Sequence, residues 1–301
     1  MITTLTLSPA FDVHVTIGEF RAGRENLAES VRRDVGGKGI NISRALSAGG
    51  VDNRPLVVVG SANGREFLDG LRTVGLACDV IEQTGSIREN ITIHPASGDE
   101  TRLSFKGFTC TPDLLEQVKF CLAVKPGDIV TFTGSLPGGI CADAAEAFLI
   151  GLRDAGARLV IDSKSVTLDM LRRIKPWLIK PNAEEIESYF GAMNETRLYH
   201  TAARLHEDGI ENVMISLGGD GAILAAEGVW RARVPKLDAL STIGAGDSAI
   251  AGFIAAEGDG DERLRRAVAY GSAACLREGT NPPLPEDIAR IYEAISIERI
   301  D

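Results

Sequence analysis

The sequence predicts an α/β fold, in which a mostly parallel central sheet is covered on both faces by helices and carries a smaller β-sheet beside it. Three observations lead there. Short apolar runs rich in β-branched residues recur between helical stretches, at Leu56–Val59, Ile129–Thr133, Leu159–Ile161, Trp177–Lys180 and Val213–Leu217, and strands that alternate with helices pair in parallel. Two further segments, Asp12–Phe20 and Ile91–Phe105, read as alternating, half-buried strands without helices between them, the second with a turn signal at Ser97-Gly98-Asp99. Finally, 301 residues with 44% hydrophobic content can bury a large core, which suits one large α/β domain with a small appendage.

Met1-Ile2-Thr3-Thr4-Leu5-Thr6-Leu7 lacks the basic and apolar regions of a signal peptide and reads as the first strand. No run approaches the roughly 18 apolar residues of a membrane helix, so a cytoplasmic protein is expected. The alternating segments lie far apart yet need each other as neighbours. They therefore suggest a single domain over 1–301 with a discontinuous small sheet at about 12–35 and 87–107. Beside a cleft such a sheet is a lid; an ordinary edge extension is the plainer alternative.

Gly36-Gly37-Lys38-Gly39-Ile40-Asn41 opens a helix that continues through Leu46. Small residues there allow a ligand close to the backbone, and Asn41 stands one turn inside, in reach of a polyol hydroxyl. A bare glycine-rich turn is the alternative. A Walker A loop, G-x-x-x-x-G-K-[ST], is absent, so a kinase built on this chain is not a P-loop kinase. In an open parallel sheet ligands bind at the carboxyl ends of the strands. Gly134-Ser135, Asp162-Ser163, Lys180-Pro181-Asn182 and Leu217-Gly218-Gly219-Asp220-Gly221 all fall at such ends.

Ser241-Thr242-Ile243-Gly244-Ala245-Gly246-Asp247-Ser248 precedes the apolar, helical Ala249–Ala256. Its glycines permit a tight turn whose amides converge with the helix N-terminus on one anion. Asp247 inside that field suits a base beside a phosphoryl group, and the combination suggests a kinase. Two alternatives exist. Asp247 is also a common helix cap, and Gly244 to Ala249 satisfies the dinucleotide fingerprint G-x-G-x-x-G/A. That fingerprint needs an apolar strand before it and an acid about 20 residues on. Leu237–Ser241 is mixed, and Asp259, Asp261 and Glu262 fall in a polar stretch, so both conditions are poorly met.

With 42 acidic against 32 basic residues and a net charge of −10, nothing here forms an extended phosphate-neutralising surface, which speaks against nucleic acid as a partner. The five cysteines, Cys78, Cys110, Cys121, Cys141 and Cys275, are odd in number and widely spaced, unlike a disulfide framework or a zinc knuckle. The four histidines show no metal-ligand spacing.

Gly36 to Asn41 together with Ser241 to Ser248 resembles the paired signature of the ribokinase-like sugar kinases, the phosphofructokinase B family. Thr133-Gly134-Ser135-Leu136-Pro137, Lys180-Pro181-Asn182-Ala183-Glu184-Glu185 and Ser216-Leu217-Gly218-Gly219-Asp220-Gly221-Ala222 follow in the family's order, so the resemblance covers nearly the whole chain. Thr6-Leu7-Ser8-Pro9-Ala10-Phe11-Asp12 is closest to the 1-phosphofructokinase and tagatose-6-phosphate kinase branch.

The resemblance implies a ribokinase-like three-layer fold and ATP-dependent phosphoryl transfer to a ketohexose phosphate, with fructose 1-phosphate, tagatose 6-phosphate and fructose 6-phosphate as candidates. It makes Asp247 the general base and gives the amides of Gly244, Ala245 and Gly246 to the migrating phosphoryl group. Lys180, Asn182, Ser216, Gly218 and Thr242 match positions along the ATP phosphates, with Gly221 in the same loop. Glu185 is associated with Mg²⁺, through water. Asp12, Gly37, Lys38, Asn41, Arg88, Asn90 and Ser135 match positions that contact the acceptor. The family's β flap often pairs two subunits, which implies a homodimer.

The chain departs from the branch at Asn26-Leu27, where Asn-Arg is common and the arginine helps grip the acceptor's phosphate. Arg24 and Arg88 are the available substitutes. Ser8 replaces an asparagine and Gly138 a proline. A kinase for an unphosphorylated sugar or polyol therefore stays open, as does a non-catalytic sugar or nucleotide sensor.

Overall fold

The computed structural model describes residues 1–300, and its strands are β1 (Ile2–Thr6), β2 (Ala10–Ile17), β3 (Ser30–Gly36), β4 (Arg54–Gly60), β5 (Asp79–Gln83), β6 (Arg88–Pro95), β7 (Thr101–Ser104), β8 (Ile129–Thr133), β9 (Arg158–Asp162), β10 (Leu178–Ile179), β11 (Asn212–Ser216), β12 (Ala222–Ala225), β13 (Val229–Arg233) and β14 (Ser296–Arg299). Among the described residues the large sheet runs β14-β13-β12-β11-β10-β9-β8-β1-β4-β5. Pairing is parallel from β5 to β11 and antiparallel from β11 to β14. The parallel part is the predicted one. The alternation of strands and helices does not predict the antiparallel edge, because its short strands follow one another without the intervening helices that mark a parallel sheet.

Neighbouring residues face opposite layers, as a pleated strand requires. Leu159 and Ile161 join one core cluster while Val160, between them, joins the other with Leu178, Met214 and Leu224. Ile42, Leu46 and Phe253 belong to this second cluster, so helices Lys38–Ala48 and Ala245–Ala255 cover that face. These are the helices that begin with the two glycine-rich segments. Helix Lys38–Ala48 lies hard against β1: a Cβ on Gly39 would stand 2.3 Å from the Leu5 carbonyl oxygen, so only glycine permits this approach.

Register places a row of side chains at the carboxyl edge of this face. Thr133 pairs with Asp162. One residue beyond the Leu5–Phe132 and Ile161–Ile179 pairs, Thr6 stands beside Thr133 and Lys180 beside Asp162.

The small sheet runs β3-β2-β6-β7. The turn signal at Ser97-Gly98-Asp99 separates β6 from β7 within the expected Ile91–Phe105 segment, and the strand expected to reach Phe20 stops at Ile17. Strand β3 lies in the expected 12–35 span but shows no clean alternation, because Arg32, Arg33 and Asp34 fill its centre. These charges have partners: the Arg33 guanidinium stacks 3.5 Å from the Phe11 ring centroid and donates to Glu89 at 2.7 Å, and Arg32 donates to Asp34 at 2.9 Å. In β2, Asp12 pairs with Asp34 on one side and Asn90 on the other, which sets Asp12 and Asn90 on one face. No helix among the described residues is long and apolar enough to cross a membrane.

Candidate active site

Asp247 is the third residue of helix Ala245–Ala255, whose N-cap, Gly244, takes φ 77°, a left-handed conformation that favours glycine. The Ala245 amide makes a long 3.4 Å contact with the Thr242 carbonyl, and Ser248 donates to Gly244 at 2.9 Å. Among the described residues the amides of Gly244, Gly246 and Asp247 have no backbone acceptor. The open set at this helix start is thus 244, 246 and 247, and differs from the expected 244–246 because Ala245 turns back onto its own loop.

The Asp247 carboxylate caps nothing. Its Oδ2 accepts from Asn41 Nδ2 at 2.9 Å, across to the other glycine-led helix. Burial pushes this carboxyl up to about 6, with Asp162 adding to the rise, while Lys38, the Asn41 hydrogen bond and Lys180 pull it down. A carboxylate so placed can exchange a proton near neutral pH.

Beside it stands a charge cluster on the sheet edge. Lys38 Nζ donates to Asp162 Oδ2 at 2.8 Å, and Lys180 Nζ lies 3.8 Å from the same oxygen. Burial raises the Asp162 carboxyl, but Lys180 and Lys38 outweigh it and hold the group below the usual carboxylate range. Burial likewise opposes the Lys38 charge, and Asp162 with Asp247 overcomes it, so the ammonium is held more firmly than usual. A Cβ on Gly246 would come within 2.9 Å of Lys180 Nζ. In the sequence Asp162 stands out only as a strand-end residue. Its place between two lysines depends on register, which no local pattern reveals.

Three hollows meet here. A cleft of about 430 Å³ between the small sheet and the sheet edge is lined by Gly37, Lys38, Asn41, Ser135 and Asp247, and from the small sheet by Asp12, Arg88 and Asn90. All seven expected acceptor-side residues are brought together. A second hollow, of about 360 Å³, is lined by Lys180, Asn182, Ser216, Gly218, Gly221 and Thr242, the six residues expected beside ATP. Its further walls include Val234, Pro235, Leu237 and Val268, apolar positions that carried no signal of their own. Lys180 and Gly246 line both, so the two hollows join beside Asp247. Ala245 faces the second hollow, not the first.

On the cleft's upper wall Asn90 Nδ2 donates to Asp12 Oδ1 at 3.0 Å, and Arg102 lies 3.8 Å from that oxygen. Arg88 makes only long 3.4 Å contacts, to the Ser8 carbonyl and Ser135 Oγ, and its buried Nε has no partner. Burial pulls the guanidinium below its ordinary value. Arg102 also lines the cleft, and no motif in the sequence marks it. Opposite Thr92 in the β6–β7 ladder, it shares the face of Asp12 and Asn90. Arg24 does not line the cleft; it sits in an exposed turn with its amide on the Arg21 carbonyl, and Leu27 is 87% exposed.

Glu185 lines a third hollow with Asp162, Lys164, Lys180 and Asn182. Asn182 is the N-cap of helix Ala183–Phe190: its Oδ1 accepts from the Glu185 amide at 2.7 Å, and Glu185 Oε2 accepts from the Asn182 amide at 3.1 Å. This is a capping box, which accounts for the Asn-x-x-Glu spacing. The other oxygen, Oε1, lies 3.7 Å from Lys164. Among the described residues no three His, Cys, Asp or Glu side chains are grouped to hold a metal.

With Asp247 as base, kcat/KM should fall about tenfold per pH unit below about 6. The sign follows from the ionised form being the active one. A profile flat from pH 8 to 5 would contradict it.

The chain is similar to known proteins over most of its length. The family described as pfkB family carbohydrate kinase matches residues 11–287. A 1-phosphofructokinase of Bacillus subtilis is 34% identical over 92% of this chain and 93% of its own length, and one of Escherichia coli is 34% identical over 84% of this chain and 83% of its own. The structure of phosphofructokinase-2 from Escherichia coli with substrates and products superposes with a TM-score of 0.90 at 27% identity, covering 97% of this chain and 98% of that one. The chain therefore belongs to the pfkB family of carbohydrate kinases.

Proposed function

We propose that this kinase transfers the γ-phosphoryl group of ATP to a hydroxyl of a ketohexose phosphate, with fructose 1-phosphate foremost. The observation that carries the proposal is Asp247: a buried carboxylate raised to about 6, placed where the two hollows join and beside three open amides. The acceptor hydroxyl gives its proton to Asp247 as its oxygen attacks phosphorus. The amides of Gly244, Gly246 and Asp247, with Lys38 and Lys180, meet the charge on the migrating group, where positioning and electrostatics dominate. Asp162 holds both ammonium groups at that point.

Arg88 and Arg102 take the acceptor's own phosphate. Arg88 carries an unpartnered buried Nε and makes no short hydrogen bond, and two guanidinium groups restore the grip that Leu27 removes. The name of the relatives, 1-phosphofructokinase, supports the same reading. Mg²⁺ would arrive on the triphosphate with much of its water shell, and Glu185 Oε1 and the hollow around it would hold that hydrated ion. When bound, it neutralises phosphate charge.

The chain's free thiols fit a reducing cytoplasm. Val31 and Leu103, on the small sheet, are 62% and 46% exposed, which supports pairing of two subunits there. We read that sheet as a lid that brings Asp12, Arg88 and Asn90 over the acceptor and excludes water from the γ-phosphoryl group. Amide exchange in β2 and β6 should then slow when the acceptor is added and change little with ATP alone. Slow exchange in the free protein that the acceptor leaves unaltered would make the sheet a fixed edge.

The proposal is tested by ADP release over a panel of fructose, tagatose and their 1- and 6-phosphates. Turnover on phosphorylated ketohexoses is expected. Turnover confined to free sugars or polyols would reassign the acceptor, and none at all would mark a sensor.

A further inference from the structure

Two buried hydroxyls in the floor of the acceptor cleft have no partner. Thr6, closing β1, is 3% exposed and Thr133, closing β8, is 8% exposed. Both line the cleft, and neither Oγ1 makes a hydrogen bond. A buried polar group left in this state lowers the stability of the fold, and such groups gather where a ligand completes them. One step back along β1 the same face is satisfied internally, since Thr4 Oγ1 and Ser43 Oγ lie 2.7 Å apart.

A third oxygen points the same way. Asn41 gives its Nδ2 to Asp247, and a carboxylate acceptor fixes the amide's orientation. Its Oδ1 is then left buried without a donor, in the same cleft. Register sets Thr6 and Thr133 side by side in the row that continues through Asp162 to Lys180.

We infer that Thr133, with Thr6 beside it, binds hydroxyl groups of the acceptor next to the one that attacks, and so holds that hydroxyl against Asp247. The inference rests on the proposed function. It adds a requirement to it: the acceptor carries contiguous hydroxyls. Threonine hydroxyls both give and accept, whereas Asn41 Oδ1 only accepts, so a run of carbinol groups satisfies all three oxygens. A carboxylate, which has no proton to give Asn41, leaves that oxygen unpaired.

Thr133→Val and Thr6→Val remove the hydroxyls at nearly constant shape. Each should lower kcat/KM for the acceptor about tenfold, the size of one lost hydrogen bond, and leave the KM for ATP unchanged. Melting temperature should stay level or rise, because an unpartnered hydroxyl is removed. Thr133→Ser, which keeps the hydroxyl, should recover most of the activity. Thr131 supplies the control: its Oγ1 is equally buried and unpartnered but lies below the cleft, so Thr131→Val should leave both kinetic constants unchanged.

Equal losses toward ATP and acceptor with a lowered melting temperature, or no rescue by serine, would show a structural hydroxyl and overturn the inference. Wild-type turnover matched by Thr133→Val would overturn it while leaving the proposed function standing. A wild-type protein inactive on every ketohexose phosphate would overturn the proposed function itself, and this inference with it.

Discussion

Replacing Asp247 with asparagine is expected to cost at least about 10²–10⁴-fold in kcat while ATP still binds, because the variant keeps the size and the link to Asn41 but cannot accept a proton. A second effect runs the other way. Burial raises this carboxyl to about 6 from the 3.8 of a free aspartate, so its ionised form is disfavoured in the folded state. The penalty is full above pH 6, on the order of 3 kcal/mol, and is relieved as pH falls toward 4. Asp247→Asn should therefore melt several degrees higher than the wild type at pH 8, with the gap closing at low pH. Rate loss combined with stability gain separates a catalytic base from a residue that merely holds two helices together. Near-normal turnover would remove Asp247 from the role.

The next largest effect is expected at Arg88. Charge-assisted hydrogen bonds to a phosphate contribute about 1.5–3 kcal/mol each, so Arg88→Ala should lower kcat/KM on the phosphorylated acceptor by about 10²-fold. Residual activity on the corresponding free sugar should fall far less, since no phosphate is there to be lost. Arg102→Ala should show the same selectivity at smaller size, because Arg102 is more exposed and also serves Asp12 at 3.8 Å. Equal losses on both acceptors would assign Arg88 to the architecture of the small sheet and favour an unphosphorylated acceptor.

The parts of this site that were legible in the sequence are those with local physical requirements. Gly244 must adopt a left-handed backbone and Gly39 must admit the Leu5 carbonyl, so both segments show their glycines wherever they are met, and the helices they open follow directly. Asp247 is legible because an acid is out of place at an anion-binding turn. Asp162, Arg102, Thr6 and Thr133 are different. Each is an ordinary residue at a strand end or in a polar ladder, and its significance comes from a neighbour set beside it by sheet register: Asp162 gains Lys180 from the next strand and Lys38 from a helix 124 residues away. The Asn182–Glu185 pair shows the opposite limit. The resemblance associates Glu185 with Mg²⁺, and the structure supplies a complete local cause for the Asn-x-x-Glu spacing, a capping box. Strand β3 escaped the alternation pattern because Arg33 is used as an apolar lid on Phe11 as much as a charge.

The destination of the γ-phosphoryl group decides whether Asp247 serves a sugar-phosphate kinase. Phosphorus NMR of a mixture of enzyme, Mg²⁺, ATP and fructose 1-phosphate follows that group directly. The γ resonance should be replaced by a new sugar phosphomonoester, one for each ADP formed, and Asp247→Asn should halt the conversion with ATP still bound. Release of the γ-phosphoryl group as inorganic phosphate alone, or ester formation undiminished in Asp247→Asn, would contradict that role.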